Sequence, residues 1–317
     1  MSGAFPCLRI TADHLLPTGS FAEAQAQFLQ PDQQAVAELS DLLERYGAGI
    51  VAHFYMDVEL QGVLSSCESP NIHISDSLLM ADKAVQMASR GVENIIVLGV
   101  DFMSENVRAV LDASGYEAVN VYRVDPRAIG CSLAESAEGL NYGAWLTKAR
   151  ETKNSLHVVY INTSLQVKAS AHNLVPTITC TSSNVLQTIL QAFSEVPDLT
   201  VWYGPDTYMG RNLAVMFEQI ETLTDEEIAA IHPAHSQQSI RSLRQRFHYF
   251  RQGHCVVHHM FGDSVVETVR NEYPSAYHTA HLEVPGEMFE LAIDAQRRGR
   301  GVVGSTSNIL NFIAAQV

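Results

Sequence analysis

The feature that most constrains the fold of this chain is an internal repeat. VLGVDFMSENV begins at residue 97 and VWYGPDTYMGRNL begins at residue 201, and each places an apolar strand pattern before a Gly-x-Asp turn and a helix with Met and Asn. Gly99 and Gly204 are 105 residues apart (204 − 99), and Asp101 and Asp206 have the same spacing. A repeat decides the architecture before any motif does, because each copy is one supersecondary unit.

Two further elements occur three times each. The first is a strand end, a turn rich in hydroxyl groups and an apolar helix, at 73–81, 179–190 and 303–313. The second is a strand that carries alternating polar residues, at 50–57, 158–164 and 279–285. Strands that alternate with helices through right-handed crossovers form small parallel sheets. The prediction is an α/β fold: a pseudo-threefold arrangement of three similar, Rossmann-like domains, the third incomplete.

The repeat divides the chain into an arm and three units. The predicted ranges are 1–35 for an N-terminal helical arm, 36–128 for the first α/β unit, 129–253 for the second, with a helical insertion near 221–250, and 254–317 for a partial third unit. The third copy has no Gly-x-Asp element. We therefore expect the sequence to be a fragment of a longer protein rather than a natural short form.

Composition excludes several classes of partner. The chain has 317 residues, of which 46% are hydrophobic and 17% are charged, and its formal net charge is −15. Such a composition supports sizeable buried cores, and the negative field argues against a nucleic-acid or anionic-membrane surface. We also find no apolar run of about 18 residues and no secretory or transit signal. The sequence predicts a cytoplasmic protein that binds neither nucleic acid nor membrane, and leaves its oligomeric state open.

Hydroxyl side chains at three helix starts are candidate anion ligands. A helix N-terminus offers free backbone N–H groups and the positive end of the helix dipole. One such turn is usually only an N-cap. Three at equivalent positions predict a shared site for phosphate or carboxylate, formed by Ser77, Ser182, Ser305 and Thr306.

Polar residues also recur two apart on the strands. The pairs are His53 with Tyr55, Tyr160 with Asn162, and His281 with Glu283. Residues i and i+2 of a strand point to one face, so each pair is expected on one side of its sheet. A lone histidine is more often a satisfied core residue. Because all three pairs precede the hydroxyl-rich turn, the pattern favours a shared polar pocket.

The five cysteines are odd in number and widely spaced, which argues against a disulfide framework. Cys131 and Cys255 each lie in the connection that leads to the next unit. With a third equivalent thiolate they would suit a 4Fe-4S cluster that has one open iron. Cys67 and Cys180 fall outside this pattern and are predicted to be buried, inert thiols.

With these residues described, the chain resembles the quinolinate synthase family, iron–sulfur enzymes of NAD biosynthesis, over nearly all of residues 36–317. The motifs that carry the resemblance are VAHFYMD, ISDSLLMADKA, LGVDFMSENVRAVL, GCSL, VVYINTSLQVKASAH, CTSSNV, GPDTYMG, HCVVHH, AHLEVPGEM and VGSTSNIL. Ten motifs in one order are a specific signal. GSFAEAQAQFL and the helical insertion look like the plant and algal branch of the family.

The resemblance implies an activity and a set of site residues. The family condenses iminoaspartate with dihydroxyacetone phosphate to quinolinate, with a 4Fe-4S cluster as Lewis acid and a functional link to L-aspartate oxidase; a plant or algal member would work in the plastid stroma. By matching position, the resemblance implies catalytic roles for His53, Tyr55, Glu283 and His258. It implies substrate binding by Ser77, Tyr160, Asn162, Ser182, His281, Ser305 and Thr306, and cluster ligation by Cys131 and Cys255. The family's third cluster cysteine is absent from this sequence, so we expect little or no synthase activity from these 317 residues alone.

Two alternatives belong to other functional classes. A relative without a cluster would bind a phosphorylated or dicarboxylic metabolite without turning it over. A zinc hydrolase would use Cys255, His258 and His259 of GHCVVHH, which offer soft and borderline ligands to zinc.

Overall fold

The computed structural model describes residues 7–10, 14–28 and 30–316. The chain divides into two compact units, residues 1–129 and 130–317, and each is described by itself. Over the described residues, no helix has both the length and the apolar character that crossing a bilayer requires.

The first unit begins with a β-hairpin. Strands β1 (Cys7–Ile10) and β2 (Leu15–Thr18) pair antiparallel, with Cys7 opposite Thr18. They are followed by the short helix α1 (Ser20–Ala26). The prediction of a helical arm is therefore wrong at these two strands. The physical reason is local, because Pro17 of LLPT cannot continue a helix but is tolerated on an edge strand.

A four-stranded parallel sheet forms the rest of the first unit. Its elements are α2 (Gln33–Arg45), β3 (Ala48–His53), α3 (Val58–Ser66), β4 (Ile72–Ser75), α4 (Ser77–Ser89), β5 (Asn94–Leu98), α5 (Asp101–Ala113) and β6 (Asn120–Arg123). The strand order is β4-β3-β5-β6. Each crossover carries a helix, as parallel pairing requires.

The second unit repeats this order. Its first part contains α6 (Ser132–Glu138), α7 (Leu140–Glu151), β7 (Ser155–Tyr160), α8 (Leu165–Leu174), β8 (Thr177–Cys180), α9 (Val185–Glu195), β9 (Thr200–Gly204), α10 (Thr207–Ile220), α11 (Asp225–Ile231), α12 (Gln237–Gln245) and β10 (Phe247–Tyr249). The parallel sheet has the order β8-β7-β9-β10. Strand for strand, this is the order of the first sheet.

A two-stranded parallel sheet completes the second unit. It is built from α13 (Val256–His259), α14 (Asp263–Glu272), β11 (His278–His281), α15 (Gly286–Arg297), β12 (Gly301–Gly304) and α16 (Thr306–Gln316). In chain order, β11 and β12 correspond to β3 and β4 of the first sheet and to β7 and β8 of the second. Apolar residues of β11 and α15 join those of β7, β9 and α10 in one buried core. The α/β class with repeated parallel sheets is thus confirmed.

Two short edge strands were not expected from the sequence. β6 and β10 are the fourth strands of their sheets, whereas the repeat pattern predicted three. β10 has only three residues and lies at the end of the segment predicted as a helical insertion, which is helical only in α11 and α12. Strands this short carry too few residues for a clear alternation of polar and apolar side chains.

The strand registers align the predicted site residues. His53 is opposite Ser75, Tyr160 is opposite Cys180, and His281 is opposite Gly304. Each polar pair therefore lies beside a hydroxyl-rich turn, at the carboxyl end of its sheet. This edge is where ligands bind in open α/β sheets.

Candidate active site

The same bend follows β3, β7 and β11. The residue after each strand donates its backbone N–H to the neighbouring strand end: Phe54 to Ser75 O at 3.1 Å, Ile161 to Cys180 O at 2.9 Å, and Leu282 to Gly304 O at 3.1 Å. The strands thus end at the first residue of each polar pair, which corrects the expectation that both residues lie on one strand face. The first backbone N–H after each strand thus finds its partner on the neighbouring strand, and the chain bends after it.

Two of the three bends use the histidine ring as a hydrogen-bond acceptor. His53 Nδ1 accepts from the backbone N–H of Tyr55 at 3.3 Å, and His281 Nδ1 accepts from that of Glu283 at 3.4 Å. The predicted pairs are therefore brought together by a bend rather than by the period of a strand.

Glu283 lies at the centre of a polar cluster in the second unit. The residue is only 3% exposed. Its Oε2 is 2.9 Å from His258 Nδ1, and its Oε1 is 3.7 Å from His281 Nδ1. Tyr160 donates its hydroxyl to Oε1. The two imidazole rings lie nearly parallel, with centroids 5.8 Å apart.

The neighbours of Glu283 keep it ionised although it is buried. Burial raises the pKa of this carboxyl, but its interactions with the neighbouring His281, His258 and Tyr160 side chains lower it to about 2. Burial lowers the pKa of His258, yet its interactions with Cys255 and Glu283 raise it to about 10. At neutral pH the pair is a carboxylate and an imidazolium, one proton acceptor and one proton donor side by side.

The second histidine of the cluster differs in charge state. Burial lowers the pKa of His281, and this outweighs the opposing effect of Glu283. His281 is therefore a neutral imidazole next to the imidazolium of His258. This arrangement avoids two positive charges on stacked rings.

Cys131 and Cys255 are brought into the same cluster. They occupy the N-cap positions of α6 and α13, respectively, and neither side chain makes a capping hydrogen bond. The Ser132 hydroxyl donates to His254 O at 3.4 Å and accepts from the Val256 N–H at 3.3 Å. Ser132 directly follows Cys131. Its hydroxyl thus bonds the residues on both sides of Cys255.

The two thiols differ in acidity. Burial raises the pKa of Cys131, and nearby Cys255 and Glu283 act in the same direction. Burial also raises the pKa of Cys255, but hydrogen bonds with His258 outweigh it and lower the pKa below its ordinary value. Two interacting thiols, the more acidic of them hydrogen-bonded to His258, fit an iron–sulfur centre as ligands.

Asp206 forms a buried wall of this cluster and was not among the predicted site residues. Its Oδ1 accepts the Met209 N–H at 2.7 Å and caps α10, whereas Oδ2 has no hydrogen-bond partner among the described residues. Burial and then Glu283 raise its pKa well above the ordinary value, so ionisation of this carboxyl is disfavoured. The Gly-x-Asp repeat was the sequence signal for it.

The remaining predicted residues of the second unit lie at the bends and turns. Ser182 is a hydrogen-bond partner of Tyr160, and Asn162 is half-buried in the bend after β7. Ser305 is buried and its hydroxyl donates to Asn308 Oδ1 at 2.8 Å, while Thr306 opens α16. Their roles in substrate binding stay predictions.

His53, Tyr55 and Ser77 lie in the first unit. The His53 and Tyr55 rings are 4.0 Å apart, and Tyr55 OH accepts the Val100 N–H at 3.3 Å. Tyr55 is 51% exposed, and Ser77 is buried at the start of α4. They occupy positions equivalent to those in the second unit, and their catalytic and binding roles stay predictions.

The donors capable of holding a single metal ion differ from those expected for zinc. His258, His281 and Glu283 place ligand atoms within 4.8 Å of one another. His259 instead pairs with the Tyr208 hydroxyl. The Glu283 carboxylate is already neutralised by the His258 imidazolium, so the three donors do not require a cation.

An acid–base pair beside two cysteines thus lies at the carboxyl ends of parallel strands, the edge where α/β folds bind small molecules. The model of the quinolinate synthetase A protein (NadA) family matches residues 37–317, so the chain belongs to that family.

Similar proteins agree with this membership. The chain is 62% identical over 315 residues to the chloroplastic quinolinate synthase of Nicotiana tabacum and 58% identical over 315 residues to that of Arabidopsis thaliana. Each match covers 99% of this chain and 44% of the relative. The quinolinate synthase of Cyanothece sp. is 28% identical over 299 residues, covering 94% of this chain and 74% of that protein. The chain spans less than half the length of its plant relatives.

Proposed function

We propose that this chain carries the active site of a quinolinate synthase, which condenses iminoaspartate with dihydroxyacetone phosphate to quinolinate. The observation that carries the proposal is the buried Glu283–His258 pair beside Cys131 and Cys255, in a member of this family.

The charge states of the pair suit the proton transfers of such a condensation. A carboxylate within hydrogen-bond reach of substrate accepts a proton, and an imidazolium returns one. Glu283 has the first role and His258 the second, while the Tyr160 hydroxyl orients the carboxylate. His53 and Tyr55 are proposed to act near the triose.

Anionic substrates need local positive charge, because the chain as a whole carries −15. His258 supplies an imidazolium in the cluster itself. The hydroxyl groups of Ser77, Ser182, Ser305 and Thr306 lie at or next to helix starts, where free N–H groups favour anions. We propose that they and His281, Tyr160 and Asn162 hold the carboxylates and the phosphate.

Cys131 and Cys255 are proposed to be two ligands of a 4Fe-4S cluster. When bound, the cluster supplies a Lewis acid for the departing hydroxyl group. The family implies this cluster, and the adjacent thiols fit it as ligands. The two named plant relatives are chloroplastic, which favours the plastid stroma over the cytoplasm for this protein, and an L-aspartate oxidase is the proposed source of iminoaspartate.

The test is a chimera, the tobacco relative in which the matching 315 residues are replaced by this chain. After anaerobic loading with iron and sulfide, it is supplied with iminoaspartate and dihydroxyacetone phosphate, and quinolinate is quantified by chromatography. The proposal predicts quinolinate formation that depends on both substrates. A folded, iron-loaded chimera that forms no quinolinate would contradict it.

A second candidate is a binding protein without turnover, for a phosphorylated or dicarboxylic metabolite. It is favoured by one observation: the hydroxyl-rich turns at Ser182, Ser305 and Thr306 lie at or just before helix starts, where backbone N–H groups can bind an anion without a metal centre. Calorimetry with quinolinate on the iron-free chain, combined with an inactive chimera, would select this function.

A further inference from the structure

In the bend after β3, one side-chain nitrogen bridges two backbone carbonyls. Gln61 Nε2 donates to Phe54 O at 2.9 Å and to Met56 O at 2.5 Å. The residue between these carbonyls is Tyr55, which the family resemblance assigns to the site. Gln61 lies on α3, half-buried, seven residues after Phe54.

The bend after β7 has the same arrangement with a different donor. Lys168 Nζ donates to Ile161 O at 3.0 Å and to Thr163 O. The residue between these carbonyls is Asn162, another assigned site residue. Lys168 lies on α8, and it also comes seven residues after the first carbonyl that it binds (168 − 161).

In the bend after β11 the donor comes from elsewhere in the chain. Seven residues after Leu282 stands Phe289, a fully buried core residue without a side-chain donor. The fully buried Asn212 of α10 instead donates Nδ2 to Leu282 O at 2.8 Å and to Val284 O at 2.9 Å. The residue between these carbonyls is Glu283.

These contacts define what we call the carbonyl clamp: one nitrogen bound to the carbonyls on both sides of a site residue. A carbonyl that leaves the sheet loses its ladder partner and needs another donor when buried. The three clamps share the position of the nitrogen, not the residue type, which is Gln, Lys or Asn. With both flanking carbonyls held, the intervening residue keeps one backbone conformation and its side chain one direction.

We propose that the three clamp residues are positioning residues of the active site. They are Gln61 for Tyr55, Lys168 for Asn162, and Asn212 for Glu283. The proposal rests on the proposed function, because it takes the three clamped residues as site residues. In this proposal the clamp residues act through the bends rather than on a reacting group.

The sharpest test uses the second bend, because its donor can be removed without shortening the side chain. Lys168→Met keeps the length and loses the N–H groups, whereas Lys168→Arg keeps donors. The matched control is Lys148→Met, which removes the same charge from an exposed position on α7 of the same unit. Hydrogen exchange of the amides at 160–163 and calorimetric affinity for quinolinate are measured on all four chains.

We expect Lys168→Met to speed amide exchange at 160–163 about tenfold and to weaken quinolinate binding about tenfold, since it removes two bonds from a charged donor. Lys168→Arg restores most of both, and Lys148→Met changes neither. Gln61→Met provides an independent check in the first unit, with faster exchange at 53–56. Gln86→Met, at an exposed position on α4, is its control.

Each other outcome counts against the proposal. Unchanged exchange in Lys168→Met would show that the clamp does not hold the bend. Faster exchange with unchanged affinity would show a bend that is held but does not position the site. If the wild-type chain binds no quinolinate, the bends do not position a quinolinate site in this chain and the positioning role is contradicted, whereas the proposed function is tested separately by the chimera.

Discussion

Replacing His157 with Gln should make the second unit more resistant to acid. His157 is fully buried on β7, where Nε2 is 2.7 Å from the Tyr142 hydroxyl and Nδ1 is 3.2 Å from Thr177 Oγ1. Thr177 Oγ1 donates to Val175 O, so it accepts from Nδ1–H, and Nε2 is left to accept from Tyr142. The neutral imidazole is fully satisfied, and burial lowers the pKa of His157 from 6.5 to about 3.

The sign of the effect follows from these two pKa values. As the pH falls below 6.5, the unfolded chain binds a proton that the folded chain rejects until about pH 3. Stability attributable to this histidine is therefore full above 6.5 and is lost between 6.5 and about 3. The linkage relation gives a loss of about 2 kcal/mol on going from about pH 7.5 to about pH 5.

The two tryptophans of the chain make this core directly observable. Trp145 and Trp202 are the only tryptophans in the sequence. The Trp145 ring lies 6.2 Å from His157 and 5.4 Å from Trp202, so urea unfolding followed by tryptophan fluorescence reports on this cluster. His157→Gln should lose about 2 kcal/mol less than wild type between the two pH values.

The matched control for this experiment is His172→Gln. His172 is an exposed imidazole on α8 that accepts the Thr177 N–H at 3.3 Å. It should keep the acid dependence of the wild type. Identical acid dependence in wild type and His157→Gln would refute the assignment of the effect to the buried ring.

Three other predictions follow from the polar cluster. Glu283→Gln should lower quinolinate formation by the chimera about 100-fold or more at unchanged iron content, because the proton acceptor is lost; activity within twofold or so of the parent chimera would contradict the role of Glu283. Cys255 should react with iodoacetamide several-fold faster than Cys131, since the pKa of Cys255 is lowered and that of Cys131 is raised. Equal alkylation rates of the two cysteines, measured by peptide mass spectrometry, would count against the His258–Cys255 contact. Asp206→Asn keeps the capping oxygen and should gain stability relative to wild type as the pH rises from about 4 to about 7, because burial and Glu283 raise the pKa of the folded carboxyl above that of the unfolded chain. Urea unfolding in which the variant gains nothing over wild type between these pH values would rule this out.

Much of the architecture could be predicted because it is repeated. The Gly-x-Asp spacing and the three hydroxyl-rich turns located the strand ends, and the sheets have the same strand order. The hairpin at residues 7–18 could not be predicted in this way, since it has no second copy. β6 and β10 were missed because they are short edge strands, whose pairing depends on the neighbouring strand more than on their own sequence.

The candidate site was predictable to the level of residues but not of contacts. Cys131, Cys255 and Glu283 stood out as unusual residue types at repeated places, and the structure brings these three together. Ser132 and Asn212 carry no such signal, because they act through backbone atoms that are distant in sequence. Gln61 and Lys168 do carry one, their common spacing of seven residues from the bend, which only becomes readable once the bends are known.

Cys131 and Cys255 are proposed to belong to the same site as Glu283 and to hold its metal centre. The most direct measurement is iron and sulfide content of the chimera after anaerobic loading, together with its visible absorption, for wild type, Cys131→Ser, Cys255→Ser and the control Cys67→Ser, whose thiol is buried and bonds Val63 O at 3.3 Å. We expect about four irons per chain in wild type and in the Cys67 variant, and loss of the cluster in the other two. A cluster that survives in Cys131→Ser or Cys255→Ser would contradict it.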